Sequence, residues 1–238
     1  MDASELYDPE FRELIEKQNP TIIIPIGSLE QHGAHLPITT DSDIVTEIAS
    51  RLAKKCNFVV LPTVSYGISF EHEPFFQVNI QLLGFLRDII SSLVINKVKS
   101  VIILNGHHGN VGTLGIMEAN PEHNCIGISR KYFKDVKIDF YSYWHFMEHE
   151  FDHAGFVETS LMLAISDKVK MKKAKKGFTT KGLSEKEIQR INKLSTEPGG
   201  FPQVAKNGVW GDPTGATKKD GEKFLTEIVR NLAKECQS

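Results

Sequence analysis

Between Gly27 and Asp41 the chain reads Gly-Ser-Leu-Glu-Gln-His-Gly-Ala-His-Leu-Pro-Ile-Thr-Thr-Asp, setting Glu30, His32, His35 and Asp41 within fifteen residues that keep no helical or strand period. Carboxylates and imidazoles crowded onto one loop are the donors a divalent metal ion takes. The competing reading is a polar loop whose histidines meet water or cap a helix, and the stretch by itself leaves both open. Two later groups carry the same chemistry. His107 and His108 lie in Asn105-Gly-His-His-Gly-Asn110, and His153 and Glu158 lie in Asp152-His-Ala-Gly-Phe-Val-Glu-Thr-Ser160.

The elements that must position these groups follow from periodicity. The first group comes after an apolar run over 21–26 and the second after a β-branched run over 99–104, of the sort found in parallel sheets. The third opens a helix whose apolar face includes 161–165. Helical spacing also predicts helices over 9–17, 43–55, 82–96, 111–119 and 218–235, with Asp41 or Ser42 capping the second. Residues 58–61 and 125–129 read as short strands. Segments 65–74 and 140–151 are irregular, the latter rich in aromatics and His, and 167–207 reads as a polar excursion. Alternating strands and helices predict one α/β domain over 1–238, a mostly parallel sheet with helices on both faces.

In such sheets ligands bind beyond the carboxyl ends of the strands. Glu30 with His32, and His107 with His108, then open on the same edge, and His153 with Glu158 can be aimed there from a helix start. The donor inventory becomes Glu30, His32, Asp41, His107 and Glu158. Five N/O donors without a thiolate are too many for one open tetrahedral zinc. They suit two divalent ions, Zn, Fe or Mn, bridged by one carboxylate, which polarise a carbonyl and generate hydroxide near neutral pH. His35 and His108 neighbour better-placed donors and read as supporting groups. His72, His108, Asn110 and Trp144 are candidate substrate-binding residues, with Glu73 beside the first. Ser28 and Ser160 lack a nucleophile-elbow pattern. The 105–110 loop lacks the spacing and Lys of a phosphate loop.

Bulk properties narrow the class. With 28 Lys and Arg against 30 Asp and Glu, the net charge of −2 supplies no general pull toward nucleic acid or an anionic membrane. Three scattered cysteines, Cys56, Cys125 and Cys236, fit neither a disulfide framework nor a cysteine zinc site, and the reading is a reducing cytoplasm. No secretion signal is read at the N-terminus, and no apolar run approaches the roughly 20 residues of a membrane helix.

The three blocks, together with Gly208-Val-Trp-Gly-Asp-Pro-Thr-Gly-Ala216, resemble the creatininase (creatinine amidohydrolase) family in content and order across nearly the whole chain. The resemblance implies an α/β fold, a dinuclear metal centre, hydrolysis of a non-peptide amide C–N bond in a small molecule, and a homo-oligomer between dimer and hexamer. By motif position, Glu30 and His107 hold one ion, His32 the other, Asp41 bridges them, and His153 hands a proton to the departing nitrogen. Creatininase also uses a Glu where this chain has Gly109, and Glu158 is the expected substitute. Creatininase closes on creatinine with tryptophans upstream of its catalytic His. Here that region has Trp144 alone, which weakens creatinine as substrate. The family branch expected is the deformylase of 2-amino-5-formylamino-6-ribosylaminopyrimidin-4(3H)-one 5'-phosphate, which serves riboflavin and F420 biosynthesis. Creatinine hydrolysis is the alternative, and trimming of a peptide in mycofactocin maturation is a further branch. Phosphoester hydrolysis and a non-catalytic metal-binding module are the rivals outside amide chemistry.

Overall fold

Four parallel strands form one sheet in the order β2-β1-β3-β4: β1 (Ile22–Ile26), β2 (Val59–Val60), β3 (Ser100–Asn105) and β4 (Lys137–Ser142). The computed structural model describes residues 1–119 and 136–237. Ile22 to Ile26 pair with Val101 to Asn105, and Ser100 to Asn105 pair with Lys137 to Ser142. The unbroken apolar run of β1 is explained by burial on both faces, where successive side chains alternate between two cores. Ile22, Ile24 and Ile26 meet Leu86, Ile90, Val101 and Ile103 on one face, covered by α1 (Asp8–Lys17), α3 (Leu82–Ile95) and α4 (Val111–Ala119). Ile23 meets Ile48, Leu52, Ile102, Leu161 and Ile228 on the other, covered by α2 (Thr40–Cys56), α5 (Phe156–Ile165) and α8 (Lys218–Glu235). Pro25 sits in this central strand without breaking it. Its carbonyl accepts from Val64 N at 2.9 Å, so its missing N–H also falls on the β2 side, where β2 has already ended.

After β1 the chain turns to α2 on one face, and after β3 to α4 on the other. The adjacent strands β1 and β3 therefore flank the point where the winding reverses, and their carboxyl ends frame a crevice there.

Several boundaries differ from the sequence expectation. α2 starts at Thr40, not 43, with Thr39 at its N-cap making no side-chain cap bond. Neither Asp41 nor Ser42 caps it. Asp41 lies in the first turn with its side chain buried inward. β4 was hidden in sequence because it is half-buried and carries apolar residues on both faces, Ile138 and Phe140 toward one core and Tyr141 toward the other. The polar stretch 167–207 contains α6 (Glu185–Ser195) and α7 (Phe201–Val204). α6 has no buried residue, so no apolar run marked it, yet its Ser184–Glu187 capping box is legible in sequence. The strand expected at 125–129 lies outside the described residues.

Candidate metal centre

Two glycines let the site form. A Cβ on Gly27, just past β1, would lie 2.5 Å from Ser42 Oγ and 2.6 Å from its backbone. A Cβ on Gly106, just past β3, would lie 2.7 Å from Val45 Cβ and 2.8 Å from Asp41 O. Both strand ends therefore press onto the first turn of α2, bringing Asp41 between the two histidine loops. Asp41 Oδ1 lies 3.0 Å from His32 Nε2, and Oδ2 lies 2.8 Å from His107 Nδ1. Ser28, weighed as a nucleophile, instead donates its hydroxyl to Asp41 Oδ2 at 2.8 Å.

Glu30 is fully buried with Oε1 3.1 Å from His72 Nε2, Oε2 3.3 Å from His107 Nε2, and His153 Nδ1 3.8 Å away. Neither oxygen accepts a well-aligned hydrogen bond. Glu158, in the first turn of α5, accepts from Ala154 N through Oε2 at 2.6 Å and lies 3.6 Å from His32 Nε2, while its Oε1 is also without a partner. Ala154 adopts φ +53°, a left-handed conformation rare for a residue with a side chain, and this aims its N–H at Glu158.

His153 is held by antiparallel backbone bonds to Trp210 of 3.0 and 2.8 Å, which ties the 208–216 loop to the site. Its ring packs 4.3 Å from that of His32 and 4.9 Å from that of His72, centroid to centroid, and Phe201 of α7 lies against both His72 and His153. Gln31 Nε2 lies 3.0 Å from His72 Nδ1 and 3.0 Å from His153 Nε2. Asp152 receives the α5 amides Val157 N and Glu158 N at 2.8 and 3.2 Å.

Electrostatics divides these groups. Burial lowers the affinity of His32 and His107 for a proton, but their carboxylate neighbours outweigh it and hold each at about 10. The neighbours are Asp41 and Glu158 for His32, and Glu30 and Asp41 for His107. Burial also raises Glu30, yet His107 and His72 bring it down to about 2. Asp41 stays well below the usual carboxylate range because His32 and His107 outweigh its burial. Burial pushes Glu158 well above that range, and burial with His32 and His72 pushes His153 well below the usual imidazole range. Asp152 is raised to about 6 by burial, against the α5 amides.

The structure brings the predicted donors together. Glu30, Asp41 and His107 offer atoms within 4.8 Å of one another, as do His32, His153 and Glu158, and Glu30, His72 and His153. Buried carboxylate oxygens without hydrogen-bond partners are costly unless a cation meets them. The orphaned oxygens of Glu30 and Glu158 thus fit divalent metal ions, and the N/O donor set suits Zn, Fe or Mn alike. The remaining candidates fall in different places. His108 lines the cavity, whereas Trp144 supports it from behind, its ring 6.1 Å from His108 and 4.6 Å from Phe151. Asn110 does not line the cavity, because its amide donates to Gly27 O and Asn105 Oδ1 at 3.1 and 3.2 Å and its carbonyl accepts from Ile68 N at 3.1 Å. His35 is buried, 2.9 Å from Thr159 Oγ1. Glu73 is exposed, and its neighbour Glu71 faces the cavity instead. Sequence reading passed over Gln31, Glu71, Phe201 and Trp210. Gln31 and Trp210 sit inside quoted motif blocks, but Glu71 and Phe201 carried no local signal.

The chain matches the family model for creatininase, creatinine amidohydrolase, over residues 4–236. It is 31% identical over 225 residues to the mycofactocin precursor peptide peptidase of Mycolicibacterium smegmatis, covering 90% of this chain and 83% of that one. It is 28% identical over 229 residues to the 2-amino-5-formylamino-6-ribosylaminopyrimidin-4(3H)-one 5'-monophosphate deformylase of Methanocaldococcus infernus, covering 93% of each. A crystal structure of creatinine amidohydrolase (creatininase) superposes with a TM-score of 0.79 at 25% identity, over 98% of this chain and 95% of that one. The chain belongs to the creatininase family, and it is a hydrolase acting on amide C–N bonds.

Proposed function

We propose that this protein hydrolyses an uncharged amide at a dinuclear divalent metal centre in which Asp41 is the shared ligand. The observation that carries the reading is Asp41 itself, its two oxygens set 3.0 and 2.8 Å from His32 and His107 in a site with orphaned acid oxygens. Glu30 and His107 would hold one ion and His32 and Glu158 the other. When bound, the ions polarise the scissile carbonyl and acidify water into a nucleophile. His153, kept neutral by its surroundings, takes the proton released as water adds to the carbonyl carbon and delivers it to nitrogen as the C–N bond breaks. The products are a carboxylate and an amine. His72 and Gln31 fix the imidazole of His153, and Phe201 shields it from bulk water.

The cavity bears on substrate. It encloses about 280 Å³, with Phe151, Phe201 and Trp210 as an apolar wall and Asn192, Ser195 and Thr196 of the α6 region as a polar rim. Among the described residues no Lys or Arg lines it. A phosphate monoester is ordinarily held by such cations or by a free helix N-terminus. Here the first-turn amides of α5 are already taken by Asp152. This favours a neutral amide over the ribonucleotide phosphate. The deformylase remains the second reading, supported by an alignment that spans 93% of both chains.

The test is to load the protein with Mn²⁺ or Zn²⁺ and present an N-aryl formamide, creatinine, a short peptide, the formamidopyrimidine ribonucleotide and a phosphodiester. Release of amine from an uncharged amide is expected. Turnover of the phosphodiester alone, or of no amide, would overturn the reading. No helix among the described residues is long and apolar enough to cross a membrane. A cytoplasmic homo-oligomer is part of the proposal. Exposed Tyr66, Phe70 and Phe76 give the 65–80 segment an apolar surface for it, checked by the mass in solution.

A further inference from the structure

Glu71 stands in the 3₁₀ turn Phe70–His72, far in sequence from every motif block, yet its carboxylate lines the cavity. Its side chain is 13% exposed, with Oε1 3.9 Å from His107 Nε2 and 4.0 Å from His72 Nε2. Gly109 explains how it gets there. A Cβ at Gly109 would lie 2.7 Å from Glu71 Oε1, 2.5 Å from His107 Nε2 and 2.1 Å from Ile68 O. No side chain at 109 can coexist with this loop path, so the bare backbone at 109 and the inward Glu71 carboxylate are two halves of one arrangement. The same hollow receives the fully buried Glu30, whose oxygens lack hydrogen-bond partners.

We propose that Glu71 is a further carboxylate of the metal centre, reaching the ion held by Glu30, Asp41 and His107 through the space left open at Gly109. The inference rests on the dinuclear reading above. With Glu71 the donor set around that ion becomes three carboxylates and one imidazole. Oxygen-rich sets favour Mn²⁺ relative to Zn²⁺, which takes imidazole more readily. The position is therefore a determinant of metal preference as well as of affinity.

The test titrates MnCl₂ and ZnCl₂ separately into metal-stripped protein by calorimetry, with bound metal counted by mass spectrometry. Glu71→Gln keeps shape and removes charge, Glu71→Ala removes the carboxylate altogether, and exposed Glu73→Gln is the control. The expected result is that Glu71→Gln and Glu71→Ala weaken one Mn²⁺ site by about 10- to 100-fold, the range seen when groups around metal ligands are removed. Zn²⁺ affinity should fall by a smaller factor, so that the Mn/Zn preference shifts toward Zn, while Glu73→Gln leaves both unchanged. A merely structural Glu71 would weaken both metals equally, and that outcome, or unchanged Mn²⁺ binding in Glu71→Gln, overturns this inference while the centre stands. Wild-type protein that binds neither metal overturns the dinuclear reading, and this inference with it.

Discussion

Metal loading must expel protons, and the structure says from where. In the metal-free site His32 and His107 titrate at about 10, so at neutral pH both are imidazolium ions paired with Asp41 and Glu30. A metal ion binds neutral imidazole, so each histidine must first lose its proton. At pH 7 a group titrating three units higher is neutral about once in a thousand, an opposing term of about 4 kcal/mol per histidine. Observed affinity should therefore rise about tenfold per pH unit at each ion between pH 7 and 9, with at least two protons released per fully loaded chain. Calorimetry in two buffers of different ionisation enthalpy measures this count directly. The sign for stability runs the other way in the metal-free protein. These histidines are raised above 6.5, so their contribution to folding is complete below pH 6.5 and is lost as pH rises through about 10. Metal-free protein should melt at lower temperature as pH climbs from 7 to 9 while the loaded protein gains relative to it. Buffer-independent heats, or an affinity flat across that interval, would refute the charge assignment.

Asp41→Asn should reduce bound metal to below one ion per chain, by mass spectrometry, because it removes the negative charge set between His32 and His107. It should also destabilise the metal-free fold by about 3–5 kcal/mol, since removing one partner leaves buried charges unpaired. His153→Ala should keep its metal and lose about 10²- to 10⁴-fold in kcat, the usual contribution of a positioned proton-transfer group. Loss of metal in that variant would make His153 a ligand instead. Gly221→Ala probes the scaffold. Its Cβ would lie 1.9 Å from Ser160 O where α8 crosses α5, so a lowered urea midpoint of unfolding is expected, by at least the 1–3 kcal/mol typical of overpacking.

Much of the candidate site is legible in the sequence because its parts sit in short blocks directly after recognisable elements. An isoleucine-rich run followed by Glu30 and His32, and a β-branched run followed by His107, reveal both the strands and the edge on which their loops must open. The parallel sheet with a core on each face follows from the same runs. What periodicity could not show was β4, whose half-buried residues face both cores, or α6, which buries nothing.

The sequence by itself determined which chemistry is available: a surplus of carboxylate and imidazole donors with no thiolate among them. Only the tertiary structure decided which donors meet. Asp41 reads in sequence both as a possible helix cap and as a metal donor, and the structure sets it inward between His32 and His107, not at the cap, because Gly27 and Gly106 let two strand ends close on the first turn of α2. Asn110 belongs to a motif yet braces the loops, while Glu71 belongs to none yet faces the cavity. The physical reason is that motifs record local chain geometry, whereas a ligand shell is assembled from contacts between loops that only a packed sheet brings within a few ångströms of one another.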